Sequence, residues 1–188
     1  MKRHMHSAVS VVILMVSGGC CFAESPEQFA TRFCIAEQSF GFRGLPRRTD
    51  EGLYDHLVGI ELIRSFRSAN GALENWIARH SGTKENLMIP HIEANLFSGF
   101  SEGSTTFRVG RAEMRSGRVA VTVHRAFRDR LETHSWTDLL ILDRDSSGWV
   151  VYDVQTHYFG SLIDQIHAFR ESVMPPQTAQ NDHPRANK

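Results

Sequence analysis

Cysteine is scarce in this chain. There are three in 188 residues, and two of them, Cys20 and Cys21, stand side by side near the start. Removal of that start would leave Cys34 alone, which excludes an internal disulfide framework and a thiolate metal site. A prevailing charge is also missing, because 21 Lys and Arg face 21 Asp and Glu. No global field steers such a chain toward nucleic acid or an acidic membrane surface. Long hydrophobic runs are absent too. Residues 8–16 are apolar but for Ser10, well short of the roughly 20 residues of a transmembrane helix. An integral membrane span is therefore not expected. Serine-nucleophile motifs, phosphate-binding glycine loops and dinucleotide fingerprints are lacking as well, so no cofactor is expected.

What the first residues do contain is an export pattern. Lys2, Arg3, His4 and His6 precede the short apolar run, and Ala23 closes a small-x-small site with Cys21. This order is that of a cleavable signal peptide over residues 1–23. The alternative is a lipoprotein signal with Cys20 or Cys21 acylated, since Gly18-Gly19-Cys20 supplies small residues while Ser17 replaces an aliphatic one. Cleavage removes Lys2 and Arg3 and makes the remainder slightly acidic. The expected location is periplasmic or secreted, or envelope-anchored if the lipid is added.

The remainder is one domain, 24–173, followed by a polar, Pro-containing tail, 174–188, read as disordered. Ser25-Pro26-Glu27-Gln28 is a capping box with Pro at the first helical position. Phe29, Phe33, Ala36 and Phe40 then recur at helical spacing. A second helix is expected from Thr49 or Asp50, with Leu53, Leu57, Ile60, Ile63 and Phe66 as its stripe. Ser68-Ala69-Asn70-Gly71 weakens that pattern before a short third helix through Leu73, Trp76, Ile77 and His80. Residues 83–106 read as a long ordered loop.

From Thr106 the period becomes two. Residues 107–113, 118–127, 134–143 and 149–157 read as four strands of an antiparallel meander, since their connections are short. A final helix is expected over 160–172. The fold class is thus α+β: N-terminal helices packed on a curled, cone-like, four-stranded antiparallel sheet, with a short C-terminal helix. Arg108, Arg111, Arg115 and Arg118, with Glu113 among them, read as a solvated hairpin rim.

Turns at 145–148 and near Arg130 suggest a register. It sets Arg144 opposite Trp149, Leu142 opposite Val151, Leu140 opposite Asp153, Asp138 opposite Gln155 and Trp136 opposite His157. His124 would face Trp136, and Thr122 would face Asp138. The core side would then carry Val119, Val121, Val123, Leu139, Ile141, Val150, Tyr152 and Val154. The other face would gather Thr122, His124, Trp136, Asp138, Asp153, Gln155 and His157. From that face we take His124, Trp136, Asp138, Asp153 and His157 as candidate ligand-binding residues, with no catalytic residue assigned. A plain solvated sheet face is the competing reading. His124, His134 and His157 match no recognised zinc spacing, so no metal is expected.

Several motifs occur in an order that resembles the nuclear transport factor 2-like (cystatin-related) superfamily. They are Gly44-Leu45-Pro46, Asn95-Leu96-Phe97-Ser98, Glu102-Gly103, Trp136-Thr137-Asp138, and the stretch from Trp149 to Val154. Within it, residues 26–171 resemble an exported bacterial family of small periplasmic proteins and lipoproteins. That resemblance implies a curled sheet over helices with a pocket at the cone's open end. It carries over no catalytic residue, and Asn95 stands where similar sequences have an acid. Three functions stay open. One is a non-enzymatic domain binding a small apolar ligand or an envelope protein at the cone mouth. The second is an acid–base enzyme using Asp153 or Asp138 with His124. The third is an accessory or immunity-type protein acting through an interface. Sheet faces of this superfamily also pair, so a homodimer through the sheet belongs among the expected partners.

Overall fold

A computed structural model describes residues 23–40, 44–81, 90–92 and 95–174. The expected signal segment before Ala23, the tail beyond Met174 and part of the expected 83–106 loop lie outside the described residues. Helix α1, Pro26–Phe40, begins as its capping box dictates. Ser25 Oγ accepts from the Gln28 amide at 3.2 Å, and Gln28 Oε1 accepts from the Ser25 amide at 2.8 Å. One face of α1 buries Phe29, Ala30, Phe33, Cys34 and Glu37.

The next helical region differs from its expected form. A 3-10 turn, Arg48–Asp50, runs into a single-turn helix α2, Glu51–Tyr54, and the chain then leaves helical geometry. Leu57 O and the Gly59 amide bond to the amide and carbonyl of Val151, so 57–59 lies along a sheet edge. Leu57 is thus a bridging core residue between helices. Helix α3, Ile60–His80, is one continuous helix where two were expected. Asn70 and Gly71 do not break it, because Leu62, Ile63, Phe66 and Ala69 before them are packed in the core.

Five antiparallel strands follow in simple order: β1 Thr106–Arg115, β2 Arg118–Arg128, β3 Thr133–Asp145, β4 Gly148–Thr156 and β5 Gly160–Ser161. The fifth, two residues long, pairs with the end of β4 and leads into helix α4, Leu162–Val173. The architecture is therefore α+β, with helices before and after an antiparallel sheet of five strands, one more than expected. The core joins Phe29, Phe33 and Phe66 to Val121, Val123, Leu140, Leu142, Val154 and Ile166. No helix among the described residues is long and apolar enough to cross a membrane.

The register corrects the expected one by a single residue between β2 and β3. Arg125 stands opposite Trp136 and Val123 opposite Asp138. The cause is the connecting turn, in which Asp129 Oδ1 accepts the amides of Leu131 and Glu132 at 2.7 Å each. This Asx-type turn closes four residues between Arg128 and Thr133, and the shift flips β3. Trp136, Asp138, Leu140 and Leu142 point inward, while Leu139 and Ile141, expected in the core, are only half-buried.

Between β3 and β4 the expected pairs Arg144–Trp149 and Leu142–Val151 form. Beyond them Tyr152 is an extra residue, and pairing resumes at Ile141–Asp153, Leu140–Val154 and Leu139–Gln155. Leu140–Asp153 and Asp138–Gln155 are therefore not partners. The bulge falls where Val151 is held by 57–59 on its free edge, so β4 bends there. Tyr152, expected in the core, is half-buried under the Arg118 guanidinium, 3.6 Å from its ring centre. Arg118 also reaches Asp143 at 3.3 Å, and Arg115 reaches Glu113 at 3.5 Å.

Candidate functional site

The flip of β3 gathers charge at one end of the sheet's inner face. Arg125 follows Val121 and Val123 inward, and its guanidinium is fully covered. Its Nη1 donates to Glu37 Oε2 at 2.8 Å and to Ser104 Oγ at 3.1 Å. Its Nη2 donates to the Phe97 carbonyl at 3.0 Å. Its Nε lies 3.0 Å from Asp138 Oδ2, an ion-pair contact without the alignment of a hydrogen bond. One guanidinium thus holds two buried carboxylates, which come from α1 and β3.

Asp138 is also a hub for backbone and ring donors. Its Oδ1 accepts from the His157 amide at 2.9 Å, and its Oδ2 from Trp136 Nε1 at 3.0 Å. The indole N–H is shared with the Ser98 carbonyl at 2.8 Å. Burial pushes the Asp138 carboxyl up to about 6, a rise that Arg125 and the two N–H donors oppose and Glu37 assists. Burial would drive Arg125 down, but Glu37, Cys34 and Asp138 raise it, so it stays a cation. Burial also pushes the Cys34 thiol, 3.9 Å from Arg125 Nη2, up to about 12, which makes it a poor nucleophile.

Above this cluster lies an open cleft. Residues 95–103 coil tightly: the Ser98 and Gly99 amides return to the Asn95 carbonyl, and the Gly103 amide returns to the Phe100 carbonyl. Gly99 has φ +59°, and a Cβ there would sit 2.5 Å from Thr156 Cβ. Only glycine lets the loop press this closely on β4. The loop thereby lays Phe100 on Trp136, with ring centres 5.0 Å apart and planes 30° apart. Phe127, His134 and Tyr158 surround Phe100 at 5.5–6.3 Å. Beside this cluster opens a cleft of about 880 Å³, whose apolar walls are Ile92, Phe100, Tyr158, Phe159, Ala168 and Phe169. Tyr158 and Phe159 are about half exposed on the β4–β5 turn.

The structure brings together some of the sequence-predicted residues. Trp136, Asp138 and His157 meet, the last through its backbone amide, while its exposed ring lies edge-on to Tyr158 at 4.8 Å. His124 is on the opposite face, half-buried, with Nδ1 3.2 Å from Thr137 Oγ1. Thr122 shares that face, and Gln155 is exposed beside β5. Asp153 is buried elsewhere and accepts the Ile163 amide at 3.1 Å at the start of α4. His124 therefore lies apart from both Asp138 and Asp153, either of which an acid–base mechanism would pair with it. His134 pairs with Glu132 at 3.1 Å. Among the described residues no three His, Cys, Asp or Glu side chains are grouped to hold a metal.

Arg125, Glu37, Phe100, Tyr158 and Phe159 were not singled out from sequence. Parity held the signal for the first: Arg125 continues the alternation of Val121 and Val123. Glu37 lies one turn beyond Phe33 on the same helical face. No family model, curated protein or solved structure matches the chain.

Proposed function

We propose that this domain is a non-enzymatic binding module that takes a small apolar ligand in the Phe100–Tyr158–Phe159 cleft. The observation that carries the reading is the cleft itself. About 880 Å³ of open space, walled by aromatic and aliphatic side chains with few polar groups, is within the range of small-molecule sites. The candidate acids support it indirectly, since Asp138 and Asp153 are consumed by structural hydrogen bonds. Export to the envelope belongs to the same proposal and rests on residues 1–23 as a signal. So does kinship with the nuclear transport factor 2-like superfamily, where the cleft would be the mouth of the cone; helices ahead of an antiparallel sheet agree with it in outline.

The test is titration of the purified chain with a neutral fluorescent probe, N-phenyl-1-naphthylamine. Saturable binding is expected, accompanied by a change in tryptophan emission, because Trp136 lies directly under Phe100. Phe159→Ser removes an exposed wall of the cleft and should weaken binding about tenfold, the equivalent of about 1.4 kcal/mol. Ile77→Ser, at an exposed apolar site on α3, should leave it unchanged. Absence of saturation, or equal binding by the Phe159→Ser chain, overturns the proposal.

A further inference from the structure

A second concavity lies between α3 and α4, and it is cationic. Ser68, Ala72, Asn75 and Arg79 step along one face of α3 at intervals of four, three and four. With Gly71 they face Arg170 and Val173 of α4 across a groove of about 440 Å³. Gly71 and Ala72 are too small to fill the space between the helices, so the groove stays open.

The two arginines of this groove carry charges that no described carboxylate meets. Arg32, Arg64, Arg67, Arg115, Arg118 and Arg125, by contrast, each have a carboxylate partner. Arg79 and Arg170 have none within ion-pair distance among the described residues, although Glu74 and Glu171 lie exposed on the same helices. Arg79 Nη2 donates to the Val173 carbonyl at 2.8 Å, which offsets the negative end of α4. Its other N–H groups take no acceptor among the described residues. Arg170 reaches Ser68 Oγ only at 3.5 Å, the outer limit of a hydrogen bond. Its Nε is buried and has no acceptor. An orphaned guanidinium N–H is costly unless something accepts from it.

We propose that this groove binds a phosphate-type dianion. Two guanidinium charges without carboxylates call for two negative charges, and a phosphate monoester carries close to that near neutral pH. Its several oxygens can accept from both forks, as charge-assisted hydrogen bonds require. Ser68 and Asn75 add neutral donors from α3. The site is distinct from the aromatic cleft, which uses Ala168 and Phe169 on another side of α4.

Amide NMR of the purified chain, titrated with inorganic phosphate against acetate at constant ionic strength, tests this. Saturable phosphate shifts confined to residues 68–79 and 170–174 are expected, with acetate at least tenfold weaker. Arg170→Gln should weaken phosphate at least tenfold while the rest of the spectrum is preserved. Arg170→Lys should restore only part of the loss, because an ammonium cannot reproduce the fork. Should Arg170→Gln disturb the fold, Asn75→Ala provides an independent loss of a few fold. Unsaturable or scattered shifts, equal affinity for acetate, or a wild-type response from both Arg170→Gln and Asn75→Ala overturns the assignment.

Discussion

The two ends of the sheet's inner face are buried by the same helix, yet they are held in opposite ways. At one end Phe29, Ala30 and Phe33 of α1 join Leu140, Leu142 and Val154 in an apolar core. At the other, one turn along, Cys34 and Glu37 meet Arg125, Asp138 and Trp136. The apolar end gains from every methylene removed from water and does not depend on any single partner. The polar end gains little in sum, because the desolvation of three charges offsets their attraction. What it adds is direction, since each group there has one place where its hydrogen bonds close.

That contrast can be broken most severely at Arg125. Arg125→Met leaves Glu37 and Asp138 buried without a cation, and should cost about 3–5 kcal/mol in a denaturant melt. Phe33→Ala at the apolar end should cost about as much through its cavity. The two differ in what rescues them. Glu37→Met added to Arg125→Met should recover half the loss or more, because Asp138 can then keep its proton. Strict additivity of the two changes would show that the charges do not act as a unit.

A somewhat smaller effect should follow pH. The Asp138 carboxyl titrates near 6 in the fold against 3.8 when unfolded, so the fold binds its proton more tightly. Its contribution to stability is therefore largest below about pH 4. It falls as pH rises toward 6 and is flat above, a change of about 3 kcal/mol. Glu24, Glu27 and Asp145, held below their usual values, have the opposite sign. The measurement is thus the difference between the chain and its Asp138→Asn variant. The variant should gain on the parent between pH 4 and 6, and parallel profiles would refute the account.

The smallest of the three is Trp136→Phe, which deprives Asp138 and the Ser98 carbonyl of one shared donor. A loss of about 1–3 kcal/mol is expected. It should be larger above pH 6, where the carboxylate needs the donor most, and a pH-independent loss would assign the effect to packing alone.

Much of this architecture is legible in the chain. Ser25-Pro26-Glu27-Gln28 marks the start of α1, and Asp145 to Gly148 sets the pairs Arg144–Trp149 and Leu142–Val151. Both are local signals, with the geometry written in neighbouring residues. What escapes is non-local. The span from Thr49 to Phe66 reads as one apolar stripe, and its interruption at Leu57–Gly59 depends on the edge of β4, about ninety residues away. The β2–β3 register turned on whether Asp129 would cap a four-residue turn. One residue of register decides whether Asp138 faces water or Arg125, so the same turn that aligns the strands also assembles the site. His124 fell to one side and Trp136 and Asp138 to the other for the same reason.

The close approach of Gly99 to Thr156 bears on rates as well as on shape. Because this stretch of loop rests on β4 and carries Phe100 onto Trp136, that wall of the cleft is in place before a ligand arrives. Under the binding role proposed above, a ligand need not wait for this part of the loop to order, and spends no binding energy on doing so. Association should then run at a rate set by diffusion and orientation, and discrimination among ligands should reside in how fast each one leaves.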